Sequence, residues 1–290
     1  MSKNLINDVI SASPNRRSFL KKLGAATAAV GTLSVAGVTS AEAQSNTEIN
    51  VLNFALNLEY LEAEFYTYAL YGSGIESFGI GINGQANGSN PTSGGTTAGG
   101  SKVPFSNNLI FTPEISAQIG SDERAHVVLL RSALGSLAVA KPNINLNALG
   151  FGFANQNDYL RLSRIFEDIG VSAYAGAAGL LSTPAIITTA ARILAAEAEH
   201  VSTIRTQIAR LNVSTAPLDG ADLIPPPSGP KTQYLSINTS NGLPATRTPG
   251  QVLYLAFGML AEATHGGFFP TGVNGAITTS TGPATAANLS

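Results

Sequence analysis

The sequence predicts an all-α protein, a four-helix bundle with a long Gly-rich insert after its first helix and a fifth, C-terminal helix. Five stretches combine a period of about 3.6 residues with helix start and stop signals. In four of them, carboxylates lie in the middle of the apolar stripe. The three histidines of the chain, His126, His200 and His265, each follow a glutamate by three positions. Residues three apart share one helix face, so this spacing indicates a metal site.

The first 43 residues resemble a twin-arginine-type signal peptide. Arg16 and Arg17 precede a Ser-Phe-Leu-Lys-Lys segment, an apolar stretch runs from 23 to 38, and the small residues Ala41 and Ala43 form a cleavage site. We therefore expect export and a periplasmic or extracellular location. The alternative is an uncleaved signal anchor.

Composition limits what the remaining chain can do. Residues 44–275 are predicted to form one domain, and 276–290 a polar tail that frays beyond about Gly275. The chain after residue 43 has 11 basic and 16 acidic residues, a net charge of −5 that argues against nucleic-acid binding. It has no cysteine, which excludes disulfides and thiolate ligands. No window after the signal is long and apolar enough to predict a membrane span in the mature chain.

Each helix is bounded by local signals. The first ends at Gly72, and the second, fourth and fifth open with a Thr-Pro pair, at Thr112, Thr183 and Thr248. Threonine caps a helix, and proline is favoured at the first helical position. The predicted helices span about 47–71, 112–135, 155–181, 183–211 and 249–264.

Two long irregular segments separate these helices. The insert at 72–111 is rich in Gly, Asn, Ser and Thr in its middle part, so we expect no core from it. It is either a flexible lid or partner surface, or a loop without a role. The tract at 212–247 is expected to wrap the surface or contribute short strands.

Ionisable side chains lie on the apolar faces of all four long helices. Phasing at about 100° per residue puts on these faces Glu59, Glu62 and Tyr66 in the first helix, Glu123 and His126 in the second, Glu167 and Tyr174 in the third, and Glu197 and His200 in the fourth. Buried carboxylates must share protons or a cation, and these faces carry no lysine. Four glutamates and two histidines without sulfur suit two iron or manganese ions.

Glu59 and Glu167 are each followed by a tyrosine seven residues later, and each of these helices precedes a Glu-x-x-His helix. The chain thus reads as two similar helical hairpins. This arrangement resembles the ferritin-like superfamily, whose bundles bind two metals with one Glu from each of two helices and Glu-x-x-His from the other two.

The resemblance implies a ligand for every member of the motif. Glu59 and Glu167 would be the single carboxylate ligands, with one pair at Glu123 and His126 and the other at Glu197 and His200. Tyr66 and Tyr174 would lie beside the metals, or else be ordinary core. Glu62 is a further candidate ligand, against the alternative of a residue at the core boundary.

The leader, the insert and the Gly-Gly-Phe-Phe-Pro segment from Gly266 are similar to the bacterial desiccation-related branch of the superfamily. The ligand set and the superfamily resemblance together imply an exported protein with a di-iron or di-manganese centre that reacts with O2 or peroxide, as a ferroxidase, oxidase or catalase-like enzyme. The alternative is a stress-associated structural or binding protein with a non-catalytic metal site. The insert argues against a storage cage, and a homo-oligomer is open.

Other charged residues are predicted to lie away from the metals. Glu64 and Glu199 point off the apolar faces and are expected to be solvated. Asp122 and Asp168 are expected near the ligands or at the surface. Glu262 and His265 form a third Glu-x-x-His pair without a matching carboxylate hairpin, so His265 is predicted to cap the end of the fifth helix, and the alternative is a metal role.

Overall fold

A computed structural model describes residues 45–86, 91–105 and 113–290. Its long elements are α1 (Asn46–Tyr71), α2 (Pro113–Leu134), α3 (Gln156–Ala177), α4 (Pro184–Arg210) and the short α5 (Pro249–Ala256). The predicted all-α, ferritin-like bundle is confirmed. The signal peptide and the Thr112 cap lie outside the described residues. Within the described part of the chain, no helix is both long and apolar enough to cross a membrane.

The helix ends follow from local chemistry. Ser45 and Glu48 form a reciprocal capping box at the start of α1, and Gly72 ends that helix with a positive φ of 72°. Asn155 caps α3, and Thr248 with Gln251 forms a second capping box at α5. Thr183 precedes α4 without a capping bond to the backbone of its own helix. Its hydroxyl instead donates to Glu48, 3.0 Å away, which ties the start of α4 to α1.

The helices pack as two hairpins, α1 with α2 and α3 with α4. Aromatic side chains fill the space between them. Phe65 of α1 stacks on Tyr159 of α3 at 5.3 Å between ring centroids and meets Phe166 edge-on at 5.1 Å. This core surrounds the faces that carry the glutamates and histidines.

Short strands organise the loops. The described pairs are β1 (Gly84–Gln85) with β2 (Pro91–Thr92), β3 (Thr97–Ala98) with β4 (Ile144–Asn145), and β5 (Ile237–Asn238) with β6 (Leu243–Pro244). The expectation that the insert contributes no core residues is wrong near its two ends, where Ile75 and Val103 are buried in the main core. Pairing of β3 with β4 fixes the insert to the segment after α2.

The C-terminal region differs from the prediction in two ways. The fifth helix ends at Ala256 rather than near 264, because positive φ angles at Gly258 and Met259 turn the chain away. The tail is not frayed, since Ser280 and Ala284 are buried and the tail hydrogen-bonds to residues before and after α5. Its small side chains fit against the 212–247 tract, a packing that polarity alone does not reveal.

The loop after α5 docks on α1 through asparagines. Asn57 donates to the carbonyl of Asn274 at 2.8 Å and accepts from its backbone N–H at 3.0 Å. Asn274 in turn donates to the carbonyl of Ala140. The loop and the segment after α2 are thereby held on the same face of α1.

Candidate metal centre

The four long helices bring all six predicted ligands together in the centre of the bundle. Two overlapping groups have ligand atoms within 4.8 Å of one another. The first contains Glu59, Glu123, His126 and Glu197; the second contains Glu123, Glu167, Glu197 and His200. Each group thus has one histidine and one glutamate of its own, while Glu123 and Glu197 belong to both. The two groups therefore overlap at two carboxylates.

Each histidine ring points one nitrogen into the cluster. His126 Nδ1 lies 3.2 Å from Glu59, 3.3 Å from Glu123 and 3.4 Å from Glu197. A ring nitrogen carries at most one proton, so it cannot donate to three carboxylates at once. His200 Nδ1 lies 2.9 Å from Glu123 and 3.2 Å from Glu167. A histidine nitrogen and carboxylate oxygens this close together can bind the same metal ion.

Among the described residues, several buried polar atoms of the cluster have close polar neighbours but no hydrogen bond of good geometry. They are Glu59 Oε2, Glu123 Oε1, Glu167 Oε2, both carboxylate oxygens of Glu197, and His200 Nδ1. A buried polar atom without a partner costs about 1 to 3 kcal/mol, and more when it is charged. A set of oxygen and imidazole donors fits iron or manganese, and two divalent ions would balance four ionised carboxylates. The residues present therefore fit a di-metal centre.

The electrostatics of the cluster also call for positive charge. Burial raises the pKa of Glu59 to about 7 against the opposing effect of His126. Burial and the neighbouring Glu123 raise the pKa of Glu197. Burial alone would lower the pKa of His126, but Glu59 and Glu123 hold it far above its ordinary value. Without cations, the cluster must hold extra protons at pH 7. They would lie on carboxyl groups that are ordinarily ionised and on imidazoles that are ordinarily neutral.

The two tyrosines cross between the hairpins. The hydroxyl of Tyr66 on α1 donates to Glu167 on α3, and that of Tyr174 on α3 donates to Glu59 on α1. The spacing of seven residues predicted tyrosines beside the cluster but could not show which glutamate each one bonds. Each bond occupies one carboxylate oxygen and leaves the other facing the cluster.

One carboxylate outside the cluster orients a histidine. Asp122 lies 3.3 Å from His200 Nε2, the ring nitrogen that points away from the cluster. An acceptor at that nitrogen favours the tautomer in which Nδ1 is free to bind a metal. The expectation that Asp122 lies near a ligand agrees with this placement.

Glu62 lies beside the cluster but outside both groups. Gly170 explains how it fits: a Cβ at this position would come within 2.5 Å of Glu197 Oε2 and 3.4 Å of Glu62 Oε1. A larger residue at this position would displace the carboxyl group of Glu197 from α3, whereas Glu62 would stay in ordinary contact. Sequence reasoning did not single out Gly170, although its position three residues after Glu167 was a usable signal.

The other charged residues have structural partners. The expected solvation of Glu64 is wrong, because the insert and the segment after α2 cover that side of α1, and Glu64 is buried against Lys141. Glu199 is exposed as expected. Asp168 is buried between Arg164 and Arg205. His265 is exposed nine residues beyond the end of α5, so the prediction that it caps this helix is wrong.

Comparison with known proteins agrees with this architecture. A family model described as a ferritin-like domain matches residues 47–210, which contain all six residues of the two groups. The chain belongs to the ferritin-like domain family. This match spans the first four helices and confirms the predicted superfamily.

Two curated relatives are similar to this ferritin-like chain. Desiccation-related protein PCC13-62 from Craterostigma plantagineum is 28% identical over 175 residues, which cover 54% of this chain and 52% of that protein. The match therefore spans about half the length of that relative. Ferritin-like catalase Nec2 from Nesocodon mauritianus is 23% identical over 279 residues, which cover 79% of this chain and 84% of that protein. The relationship to desiccation-related proteins is confirmed.

Proposed function

We propose that this ferritin-like protein binds two iron or manganese ions and disproportionates hydrogen peroxide to water and O2. The observation that carries the proposal is the pair of overlapping groups, which share Glu123 and Glu197 and bury carboxylate oxygens without hydrogen bonds. When bound, two redox-active ions supply the alternate oxidation and reduction that peroxide disproportionation requires. The catalase name of a relative that is matched over most of its length favours peroxide over O2 as the substrate.

The protein side chains have distinct tasks in this proposal. His126 with Glu59 would hold one ion and His200 with Glu167 the other, while Glu123 and Glu197 are within reach of both. Tyr66 and Tyr174 fix the orientation of Glu167 and Glu59 through their hydroxyl groups. Asp122 keeps the proton of His200 on Nε2.

Burial excludes bulk water from the cluster. Glu123, Glu167 and Glu197 have no exposed surface, and the aromatic core packs around them. In such surroundings charge interactions are stronger than in water. The protein thereby keeps its ligands in a fixed geometry while peroxide reacts.

A structural role is the second candidate, and the name of the desiccation-related relative favours it. In that case the ions would stabilise the bundle without turnover. Both candidates need the metal site, but only the first needs a path by which peroxide reaches it. We further propose an exported protein that does not assemble into a storage cage.

The decisive test combines metal content with oxygen release. The protein is loaded separately with Mn(II) and with anaerobic Fe(II), its metal content is measured by mass spectrometry, and O2 evolution is followed after addition of peroxide. We expect two ions per chain and turnover with at least one metal. Two ions per chain without O2 evolution for either metal would contradict the enzymatic proposal and favour the structural role.

The variant Glu123→Ala tests the site itself. Because Glu123 belongs to both groups, its loss should reduce metal binding at both positions and abolish turnover. Glu199→Ala is the matched control, since Glu199 is an exposed glutamate on α4 outside both groups. Unchanged metal content in Glu123→Ala would refute the proposed site.

A further inference from the structure

An apolar cavity lies between α1 and α3 and ends at the candidate metal centre. The space between the atoms that line it, open solvent at its mouth included, amounts to about 480 Å³. Its outer part is formed by partly exposed residues, among them Ala55, Leu58 and Leu181. Its inner part reaches Glu59 and Glu62. The cavity therefore connects the protein surface with the edge of the cluster.

Small residues of α3 keep this cavity open. Gly170, Ala173 and Ala177 follow one another along the helix face that lines it. The larger side chains on the opposite wall belong mainly to α1, including Val51 and Phe54. A single large residue at one of these α3 positions would fill much of the space between the two helices.

Glu62 is the unpartnered polar group at the inner end. Glu62 is only 5% exposed, and its carboxyl group forms no hydrogen bond with the described residues. It also lines a second apolar cavity of about 360 Å³ together with Leu61 and Phe166. Its carboxyl group thus opens onto both cavities, where a water molecule or a small ligand can hydrogen-bond to it.

Glu62 lies beside a candidate ligand of the proposed ions but belongs to neither ligand group. Gly170 has no side chain, and the carboxyl groups of Glu62 and of the shared ligand Glu197 both approach the place that a Cβ would occupy there. A small molecule at Glu62 thus lies next to Glu197, one of the two glutamates that belong to both ligand groups.

We propose that the α1–α3 cavity is the entrance for peroxide and that Glu62 is the positioning residue that receives it by accepting a hydrogen bond. This inference rests on the proposed function and adds the route and the selectivity of the site. The walls are apolar and the inner end carries two glutamates, with no cation among the lining residues. Small neutral molecules that donate a hydrogen bond, such as hydrogen peroxide, can pass the apolar walls, whereas an anion would lose its hydration there.

The first test needs neither metal nor turnover. Crystals of the metal-free protein are pressurised with xenon, which occupies apolar cavities that are accessible from solvent. We expect a xenon atom between α1 and α3 in the wild type and none in Ala173→Phe, whose side chain should fill the space. Ala55→Leu narrows the mouth instead and serves if Ala173→Phe does not fold. A wild-type cavity that takes up no xenon would overturn the proposed entrance.

The second test uses the metal-loaded protein. Ala55→Leu should lower kcat/KM for peroxide with little effect on kcat at saturation, because it hinders entry and leaves the cluster intact. Ala195→Leu is the matched control, since Ala195 is exposed on α4 outside the cavity. An unchanged kcat/KM in Ala55→Leu would contradict the route.

Replacement of Glu62 separates positioning from metal ligation. Glu62→Gln keeps an acceptor oxygen and should retain most of kcat/KM, whereas Glu62→Leu should lose about tenfold, the equivalent of one hydrogen bond. Metal content should stay the same in both. Loss of metal from both variants would show that Glu62 is a ligand and would overturn its positioning role.

The two proposals fail in distinguishable ways. A metal-loaded wild type without peroxide turnover would contradict the proposed function. Wild-type turnover with unchanged kcat/KM in both Ala55→Leu and Glu62→Leu would contradict the entrance alone.

Discussion

At the scale of single residues, the tyrosines decide how firmly the candidate ligands are held. Each tyrosine hydroxyl bonds a carboxylate on the opposite helix, so Tyr66 and Tyr174 also couple the two hairpins. Groups that orient a metal ligand commonly affect metal affinity by about 10- to 100-fold when removed. The tyrosines therefore have a role beyond filling the core.

Tyr66→Phe keeps the ring but removes the hydroxyl that orients Glu167. We expect metal affinity to fall by about tenfold with little change in the fold, because the ring packing with Phe65 and Tyr159 is preserved. Competition with a chromophoric chelator measures the change. Tyr71→Phe is the control, since Tyr71 is exposed at the end of the same helix; an equal loss of affinity in both variants would contradict the role of Tyr66.

Lys141 and Glu64 show how a residue can be buried for structural reasons. Lys141 Nζ bonds Glu64, Glu76 at 2.9 Å and Thr97 at 3.0 Å. The ion pair thus joins α1, the insert and the segment after α2. The helical period could not reveal this pair, because 77 residues separate its members.

Lys141→Met should destabilise the protein by about 3 to 5 kcal/mol, since it leaves the carboxylate of Glu64 buried without its cation. Urea unfolding at pH 7 measures the change. The double variant Lys141→Met with Glu64→Leu should recover most of the loss, because no unpaired charge remains. Lys102→Met, at an exposed lysine of the insert, should have little effect; a double variant as unstable as the single one would argue against this explanation.

At the scale of elements, α1 departs most from simple amphipathic behaviour. It is buried on nearly all sides, by α2 and α3, by the insert and by the loop that Asn57 holds. A helix buried all round has no solvent face against which a period can be read. This is why the phase of α1 located Glu59 correctly and misplaced Glu64.

Glu48 joins two helix starts. It closes the capping box of α1 with Ser45 and accepts the backbone N–H groups of Ser182 at 2.8 Å and Thr183 at 2.6 Å. These hydrogen bonds lower the pKa of Glu48 to about 2. The N-terminus of α4 therefore receives its acceptor from α1 rather than from Thr183 itself.

Glu48→Gln should weaken both helix starts and lower stability at pH 7 by about 1 to 3 kcal/mol, the range for hydrogen bonds to a charged group. Because the folded pKa of Glu48 is lowered, its contribution is present above the unfolded value near 4.5 and is lost as the pH falls towards 2. The difference in unfolding free energy between wild type and variant should accordingly shrink from pH 6 to pH 3. A difference that does not depend on pH would contradict the role of the ionised carboxylate.

At the scale of the whole molecule, periodic patterns were predictable and irregular contacts were not. The spacing of residues predicted the four long helices and the faces of the six candidate ligands, because residues three or four apart lie on the same side of a helix. These ligands are Glu59, Glu123, His126, Glu167, Glu197 and His200. The buried ion-pair network could not be predicted from spacing, since its members come from two helices and an irregular tract. They are Arg164, Asp168, Arg205 and Asp222. Contacts of this kind depend on tertiary packing, for which a single sequence gives no period.

The tail after Gly275 belongs to the same class of irregular contacts. The carbonyl of Ala284 accepts a hydrogen bond from the backbone N–H of Gly220, and that of Asn288 accepts one from Thr246. The backbone N–H of Thr281 donates to the carbonyl of Gly250. Asn288 also bonds Gln251 of the α5 capping box. The tail therefore fastens the 212–247 tract and α5 to each other.

A chain that stops at Gly275 should keep its metal centre but lose stability. Several hydrogen bonds of about 1 kcal/mol each disappear together with the burial of Ala284, so we expect the Tm to fall by about 10 °C. Metal content and peroxide turnover at 25 °C should be unchanged, because no residue of the tail belongs to the two ligand groups. Differential scanning calorimetry measures the first effect and mass spectrometry the second; an unchanged Tm would show that the tail adds nothing to the fold.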